Sequence, residues 1–341
     1  MIRINTKTLE LLELEYLNMI KTYFKYKQVK KDKKGNPTNV DKLEAIFRGK
    51  NNLEHKMLKY FHTHLEKIVL AKPENTKQIY NDFLAEFSFN PANKQHLIHL
   101  EKFKDRMVLY YKSFFQKEIV RNGEKFNYGR FIAKKMKIKV CPYCNHNYIF
   151  TLNDYANKIN SRPDFDHFYP KAKYPLLALS LYNLIPSCSV CNKVKKEEEI
   201  TFYPYIQSHN ETVSFKVHSE GNENPHEWIT GESKIGIKVV HSFNGIDETA
   251  DSDRSTIVKK LGIDKVYDEH SEYAEEILDK IFAYNNSYYN AMISSFDGLG
   301  KTADQIESII WSAYLQEIGS RPMSKLTSDI LEQLKIKRIK I

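Results

Sequence analysis

The chain has 341 residues, 41% hydrophobic and 13% aromatic, with a net charge of +9. That length and apolar content allow a sizeable buried core and exclude a disordered chain. The basic excess suits a polyanionic partner, but with 43 acidic residues it acts only where it is concentrated.

From the N-terminus, residues 6–31 and 43–70 repeat Leu, Ile, Phe and Tyr at three- and four-residue steps, which predicts helices. Gly35-Asn36-Pro37 and Lys72-Pro73 mark breaks. The run Lys25, Lys27, Lys30, Lys31, Lys33 and Lys34 reads as solubilising surface. Asn90-Pro91 offers a cap and first-turn proline for a long helix to about Val120, ended near Gly123. His96 and His99 fall on it without an acidic or cysteine partner, and read as ordinary helix residues. A short helix near 126–137 carries Arg130, Lys134, Lys135 and Lys137, and Lys139 follows. This cluster leads directly into the first cysteine pair and is the candidate phosphate-tracking patch. Tyr148–Leu152 reads as a strand and Cys191–Glu198 as a helix.

Beyond residue 205 the texture changes. Thr212–Val217 and Ile235–Val240 alternate as strands of a hairpin or small sheet. Residues 250–262, 266–294, 303–318 and 324–338 return to helical periodicity, with Pro322 between the last two. Lys335, Lys337, Arg338 and Lys340 form a closing basic cluster of the mobile-tail type. The expected class is α+β: a mostly helical chain with an N-terminal helical domain (1–136), a central unit (137–205) and a C-terminal region (206–341). No internal repeat, heptad array or phosphate-binding glycine motif occurs, so ATP-driven control requires another polypeptide.

The longest uncharged run, Tyr174 to Asn192, contains two prolines, three serines, Asn183 and two cysteines, and does not make a spanning helix. The segment MIRINTKTLELLELEY lacks a secretory pattern, and paired thiols fit a reducing interior, so a cytoplasmic protein is expected.

The four cysteines form two Cys-x-x-Cys pairs, Cys141/Cys144 and Cys188/Cys191. That spacing predicts a closed tetrahedral zinc site of structural type. Around the pairs lie CPYC at 141–144, DFDHFYPKAKYP at 164–175, YNLIPSC at 182–188 and CNKVK at 191–195. In that order they resemble the HNH, or ββα-metal, endonucleases, over about 60 residues. The matching subgroup has Asn in the final position. The resemblance implies a ββα core in which Tyr148–Leu152 is the first strand and Cys191–Glu198 the helix.

It also implies site roles. His167 is the general base that activates water, since an imidazole titrates near neutrality. Asp166 and Asn192 supply oxygen ligands to magnesium or a similar divalent ion, which prefers hard donors. Asn183 ties the loop that aims His167. Neighbouring strand residues point to opposite faces, so Asp166 and His167 are expected at a strand end, bending into Phe168-Tyr169-Pro170. Asp164 either orients the ligand shell or is a plain turn acid. Lys195 either contacts phosphate or is a solvated lysine, and His146 reads as an exposed knuckle residue. The whole-chain texture, including RPMSKLTSDI at 321–330, is similar to stand-alone bacterial HNH proteins of anti-phage defence modules, the Septu- and retron-associated type. That likeness implies an SMC-like, ABC-type ATPase partner. The expected substrate is nucleic acid, DNA first and RNA such as tRNA second. The alternative is a zinc-stabilised nucleic-acid-binding or ATPase-docking subunit without catalysis.

Overall fold

The computed structural model describes residues 3–26, 29–31, 37–39, 51–116, 118–121, 124–154, 159–200, 202–206, 213–219, 235–243, 246–248, 256–284, 286–296 and 298–334. They form an α+β fold, mostly helical, with small antiparallel sheets. The side chains of the Lys25–Lys34 run and of the C-terminal basic cluster lie outside the described residues.

The N-terminal third is helical, with earlier stops than periodicity suggests. α1 (Thr6–Tyr26) ends before residue 31, and Val29–Lys31 (β1) pairs with Pro37–Asn39 (β2). In place of one helix over 43–70 stand α2 (Leu53–Thr63) and α3 (Leu65–Val69), interrupted at His64. Residues 43–50 of that expectation lie outside the described residues. α4 (Thr76–Glu86) follows, then α5 (Lys94–Phe115). The cap of α5 is Asn93, which accepts from the Gln95 amide at 2.9 Å; Asn90 instead accepts from the Ala92 amide at 2.9 Å, making a turn. α5 stops at Phe115 because β-branched Ile119 and Val120 enter a hairpin, Ile119–Arg121 (β3) with Glu124–Phe126 (β4). α6 (Tyr128–Met136) matches its expectation; Asn127 caps it, and Lys137 closes it in the left-handed region at φ 56°.

One cluster of buried residues runs from Ile4 to Ile330 and draws on all three expected segments. Aromatic rings fill its centre: Tyr16, Phe24, Phe61, Phe103, Phe114 and Phe115 are all buried. The uncharged run lies inside this core. Residues 175–188 are buried without a break, folded as two 3-10 turns (Pro175–Leu179 and Leu181–Asn183) and β8 (Leu184–Ser187).

Irregular backbone in a core needs partners for its carbonyls, since each buried polar group left unpaired costs roughly 1–3 kcal/mol. Side chains from other elements supply them. Tyr16 donates to the Leu179 carbonyl (2.8 Å), Tyr203 to Tyr182 (2.9 Å) and Tyr205 to Leu184 (2.6 Å). Three tyrosines thus serve to bury a segment of membrane-like apolarity in a helical fold. Among the described residues no helix is long and apolar enough to cross a membrane.

β8 pairs antiparallel with β7 (Asp164–His167), with Asp166 opposite Ile185 and His167 opposite Leu184. The chain then enters α7 (Ser189–Lys195) directly. This strand–strand–helix order differs from the expected first strand at Tyr148–Leu152. Tyr148 makes only an isolated bridge to Val140, and the nearby hairpin is Leu152–Asp154 (β5) with Ile159–Ser161 (β6).

In the C-terminal region, β9 (Val213–Ser219) and β10 (Ile235–Phe243) pair as expected, and β11 (Ile246–Glu248) adds a third strand on the far side of β10. The periodic stretches hold α8 (Thr256–Leu261), α9 (Ile263–Asp268), α10 (Ser271–Ala283), α11 (Asn286–Ser295), α12 (Ala303–Ile310) and α13 (Ser324–Gln333). Residues 250–255 and 335–338 of those expectations lie outside the described residues. Gly262, at φ 59°, makes the left-handed corner between α8 and α9. α13 covers the free edge of β9: the Phe215 amide donates to Asp329 (2.8 Å) and the Val217 amide to Gln333 (2.9 Å).

Candidate active site and four-cysteine cluster

The first cysteine pair sits on a tight knuckle. The Cys141 amide donates to the Asn147 carbonyl, and the Asn145 amide to the Cys141 carbonyl, both at 2.9 Å. The second pair is set by α7: Cys188 is its N-cap, and its sulfur accepts from the Cys191 amide at 3.4 Å. All four sulfurs lie within 4.8 Å of one another, and all four residues are buried. The His146 amide donates to Cys144 Sγ and the Cys188 amide to Cys141 Sγ, each at 3.4 Å, while Asn147 Nδ2 donates to Cys188 Sγ at 3.6 Å. Amide donors aimed at sulfur are what buried thiolates require, and four soft donors in a closed set fit a metal ion such as zinc. Burial pushes the Cys141 thiol up, whereas hydrogen bonding from the neighbouring cysteines pulls Cys188 down.

The knuckle also anchors the C-terminus. Asn145 accepts from the Lys325 amide (2.9 Å) and donates to the Ile318 carbonyl (3.1 Å). His146 is not free, contrary to expectation: its Nε2 lies 2.6 Å from Nε2 of His270, and it is partly buried.

The hairpin places the acid–imidazole pair at the end of β7, where the chain turns, as expected. Asn183 fixes that turn. Its Oδ1 accepts from the Tyr169 amide (2.8 Å), and its Nδ2 donates to the Tyr169 and Leu177 carbonyls (3.1 Å each). Asn183 is fully buried, so it positions the loop without reaching the surface.

His167 is 4% exposed and packs edge-on against the Tyr111 ring at 4.6 Å. Its Nε2 lies 3.1 Å from the Ala178 carbonyl, which only accepts, so Nε2 carries the proton. Nδ1 then holds the lone pair and makes no hydrogen bond to any described residue. Burial, with Lys171 nearby, lowers the imidazole to about 3, so it is neutral across the physiological range.

Asp166 is also buried, and Tyr143 donates to its Oδ2 at 2.6 Å. Lys195 reaches both its oxygens, at 3.2 and 3.1 Å, and the His167 carbonyl at 2.9 Å. Lys195 is fully buried, which overturns both expectations for it. It belongs to an internal ion pair because its position on α7 faces β7 instead of solvent. Burial raises the Asp166 carboxyl above the usual carboxylate range, and the Lys195 ammonium and Tyr143 hydroxyl oppose that rise. A carboxylate offers about four lone-pair directions, so these contacts leave capacity for a further ligand.

Asp164, Asp166, His167 and Asn192 line one cleft, and Asn192 Nδ2 donates to Asp164 Oδ2 at 3.2 Å. Two carboxylates and an amide oxygen are hard donors of the kind a magnesium-like ion takes. Lys112, Arg162, Lys171 and Lys196 line the same cleft. Sequence reasoning missed all four: Lys112 stands far from the motif, Arg162 lies just before it, and Lys171 and Lys196 lie within and beside it, outside the three basic runs named above. Gly129 permits the Arg162 placement, since a Cβ there would lie 2.6 Å from the Phe115 carbonyl oxygen and 2.9 Å from Arg162 Nε. Lys134, Lys135 and Lys137 are exposed but line neither this cleft nor the groove beside it, and Lys135 lies 3.6 Å from Glu15. His96 accepts from the Asn90 amide at 3.1 Å, an ordinary helix-entry role.

The buried neutral imidazole predicts a pH signature. Its folded pKa lies below the unfolded value near 6.5, so the unfolded chain binds the extra proton first as pH falls. The stability tied to neutral His167 is therefore complete above about 6.5 and drains away toward about 3, by up to about 1.4 kcal/mol per pH unit. Denaturant unfolding of wild type and His167→Gln across that window should show a flatter slope in the variant. Taking the difference removes the contribution of acid loss of a cysteine-bound metal. Parallel slopes would assign His167 an ordinary pKa.

No protein-family model, curated protein or solved structure matches the chain.

Proposed function

We propose that the protein is a metal-dependent endonuclease of the HNH type that hydrolyses phosphodiester bonds in nucleic acid, DNA foremost, with a structural zinc in the four-cysteine cluster. The observation that carries this reading is the state of His167. Its imidazole is neutral, its Nε2 is tied to a carbonyl, and its Nδ1 lone pair is unengaged, in a cleft that also holds the oxygen-bearing side chains of Asp164, Asp166 and Asn192. In this proposal His167 Nδ1 takes the proton from the attacking water. Asp166 and Asn192, with Asp164 beside them, would hold a magnesium-like ion, which would supply charge neutralisation at the phosphate. Lys171 and Arg162 bind phosphate oxygens, and Tyr143 and Lys195 hold Asp166 in place. The resemblance to anti-phage HNH proteins supports a defence role beside an SMC-like ATPase, which would supply the nucleotide-binding motif this sequence lacks.

One observation favours a second reading, a zinc-stabilised binding subunit without catalysis: the Lys195 ammonium already balances the Asp166 charge. A magnesium titration separates the two. Asp166→Asn and Asn192→Ala should each shift the activity curve to higher magnesium, by roughly ten-fold or more if each supplies a ligand. Identical curves for wild type and both variants would remove these residues from the ion.

The exposed Lys134, Lys135 and Lys137 are proposed to track backbone flanking the cleft. Replacing all three with Gln should flatten the dependence of log affinity on log salt, by roughly 0.9 per lost phosphate contact on duplex DNA. An unchanged slope would leave phosphate binding to the cleft cations alone.

A further inference from the structure

A second groove adjoins the cleft and shares two residues with it, Arg162 and Asp164. Tyr148, Phe150, Leu152, Ser187 and Val190 are among the residues that line the groove. Tyr148 and Phe150 are 48% and 51% exposed, yet their rings stack on each other, 4.6 Å apart at 21°. Two large rings held parallel in water, joined to Leu152 at 47% and Val190 at 53%, form an apolar platform that the described residues leave open. Ser187 adds an independent sign of an absent ligand. It is fully buried, it lines the groove, and its hydroxyl has no hydrogen-bond partner among the described residues. Such orphans are rare in folded proteins.

We infer that this groove receives unpaired nucleotides of the strand whose phosphate occupies the cleft, with bases stacked on Tyr148 and Phe150; this rests on the nuclease proposal above. Three features select this occupant. The platform is continuous with the cleft through Arg162, which lines both. Its guanidinium lies over the Phe165 ring and donates from Nη1 to the Pro163 carbonyl (2.8 Å), and its remaining N–H groups can hold the phosphate between a stacked base and the scissile bond. The π-faces accept any base, as sequence-tolerant single-strand binding requires. Ser187 can both donate and accept, which suits a base edge or sugar oxygen. A duplex keeps its bases stacked inside and offers nothing to such a platform. The preferred substrate class is therefore single-stranded or locally unpaired nucleic acid.

The test is fluorescence anisotropy without added divalent ion, using a labelled single strand of mixed sequence and its duplex. Wild type should bind the single strand more tightly. The double variant Tyr148→Leu with Phe150→Leu keeps apolar bulk but removes the π-faces, and both positions are exposed, so folding should survive. It should lose single-strand affinity by roughly five-fold or more per stacked base, with duplex affinity nearly unchanged. Ser187→Ala should give a smaller loss of the same sign. Equal single-strand affinity in the leucine variant overturns the inference, as does a wild type that prefers duplex. A leucine variant that alters only self-association in ultracentrifugation overturns it too, and marks a protein-docking face. Stacking-dependent binding by a chain that never cuts would instead sink the nuclease proposal and leave the platform standing.

Discussion

Replacing His167 should reduce nucleic-acid cleavage by roughly two to four orders of magnitude, the usual reach of a positioned general base. The structure adds a cost that the motif alone does not show. His167 is buried, packs on Tyr111 and pairs with the Ala178 carbonyl, so His167→Ala leaves a cavity and an orphaned acceptor. The orphan alone costs roughly 1–3 kcal/mol. His167→Gln keeps most of the volume and can still donate to Ala178, but it has no basic nitrogen. Both variants should therefore lose activity alike, while the glutamine variant stays closer to wild type in thermal stability. Measuring kcat per zinc-loaded, folded molecule makes the comparison. If the glutamine variant cleaves at near wild-type rates, His167 acts as a structural residue and the base lies elsewhere.

Removal of one cysteine should abolish activity and stability together. Cys188 is the N-cap of α7; its sulfur accepts from the Cys191 amide and the Asn147 side chain, its own amide donates to Cys141 Sγ, and it joins the hairpin to the Asn145 knuckle. The same knuckle bonds α13 through the Lys325 amide, so the effect should reach the C-terminal region. Structural zinc sites are worth on the order of 10 kcal/mol in apparent binding energy, much of it folding energy. Cys188→Ser should lose the metal and lower Tm by roughly 10 °C or more, with cleavage gone. Asn192→Ala, on the partly exposed face of the same helix, should lose activity with little change in Tm. Elemental analysis should find about one zinc per wild-type chain after brief chelation, because four thiolates leave no open position. A zinc-free chain that melts and cleaves like wild type would separate the cluster from both folding and function.

Local rules made part of this molecule legible. The two Cys-x-x-Cys pairs announced a closed sulfur set, and the sulfurs do converge. Strand alternation required Asp166 and His167 to sit at a bend, and β7 ends at His167. The short α6 helix was legible near 126–137, and the β9–β10 pairing followed from strand alternation. What escaped were decisions made by tertiary contact. Lys195 is on the helix face that meets β7, and only the pairing of β7 with β8 makes that face internal. Lys112, on α5, and Arg162, in the link between β6 and β7, meet only in the folded cleft, so no run of basic residues flagged them. Helix ends were overestimated at residues 31, 120 and 318 because apolar periodicity continues past Tyr26, Phe115 and Ile310 into strands and turns. The Tyr148–Phe150 stretch has strand-like composition, but among the described residues its backbone pairing is confined to Lys139 and Val140, and its rings remain an open aromatic surface.

The central claim, that this cleft hydrolyses phosphodiesters, is tested most directly by incubating the purified zinc-loaded chain with plasmid DNA, single-stranded DNA and total tRNA, with magnesium and with chelator. Wild type should cut at least one of these substrates in magnesium and none in chelator, and His167→Gln prepared identically should be inactive. A folded, zinc-loaded wild type that cuts none of them, or activity that survives in His167→Gln, would contradict the account.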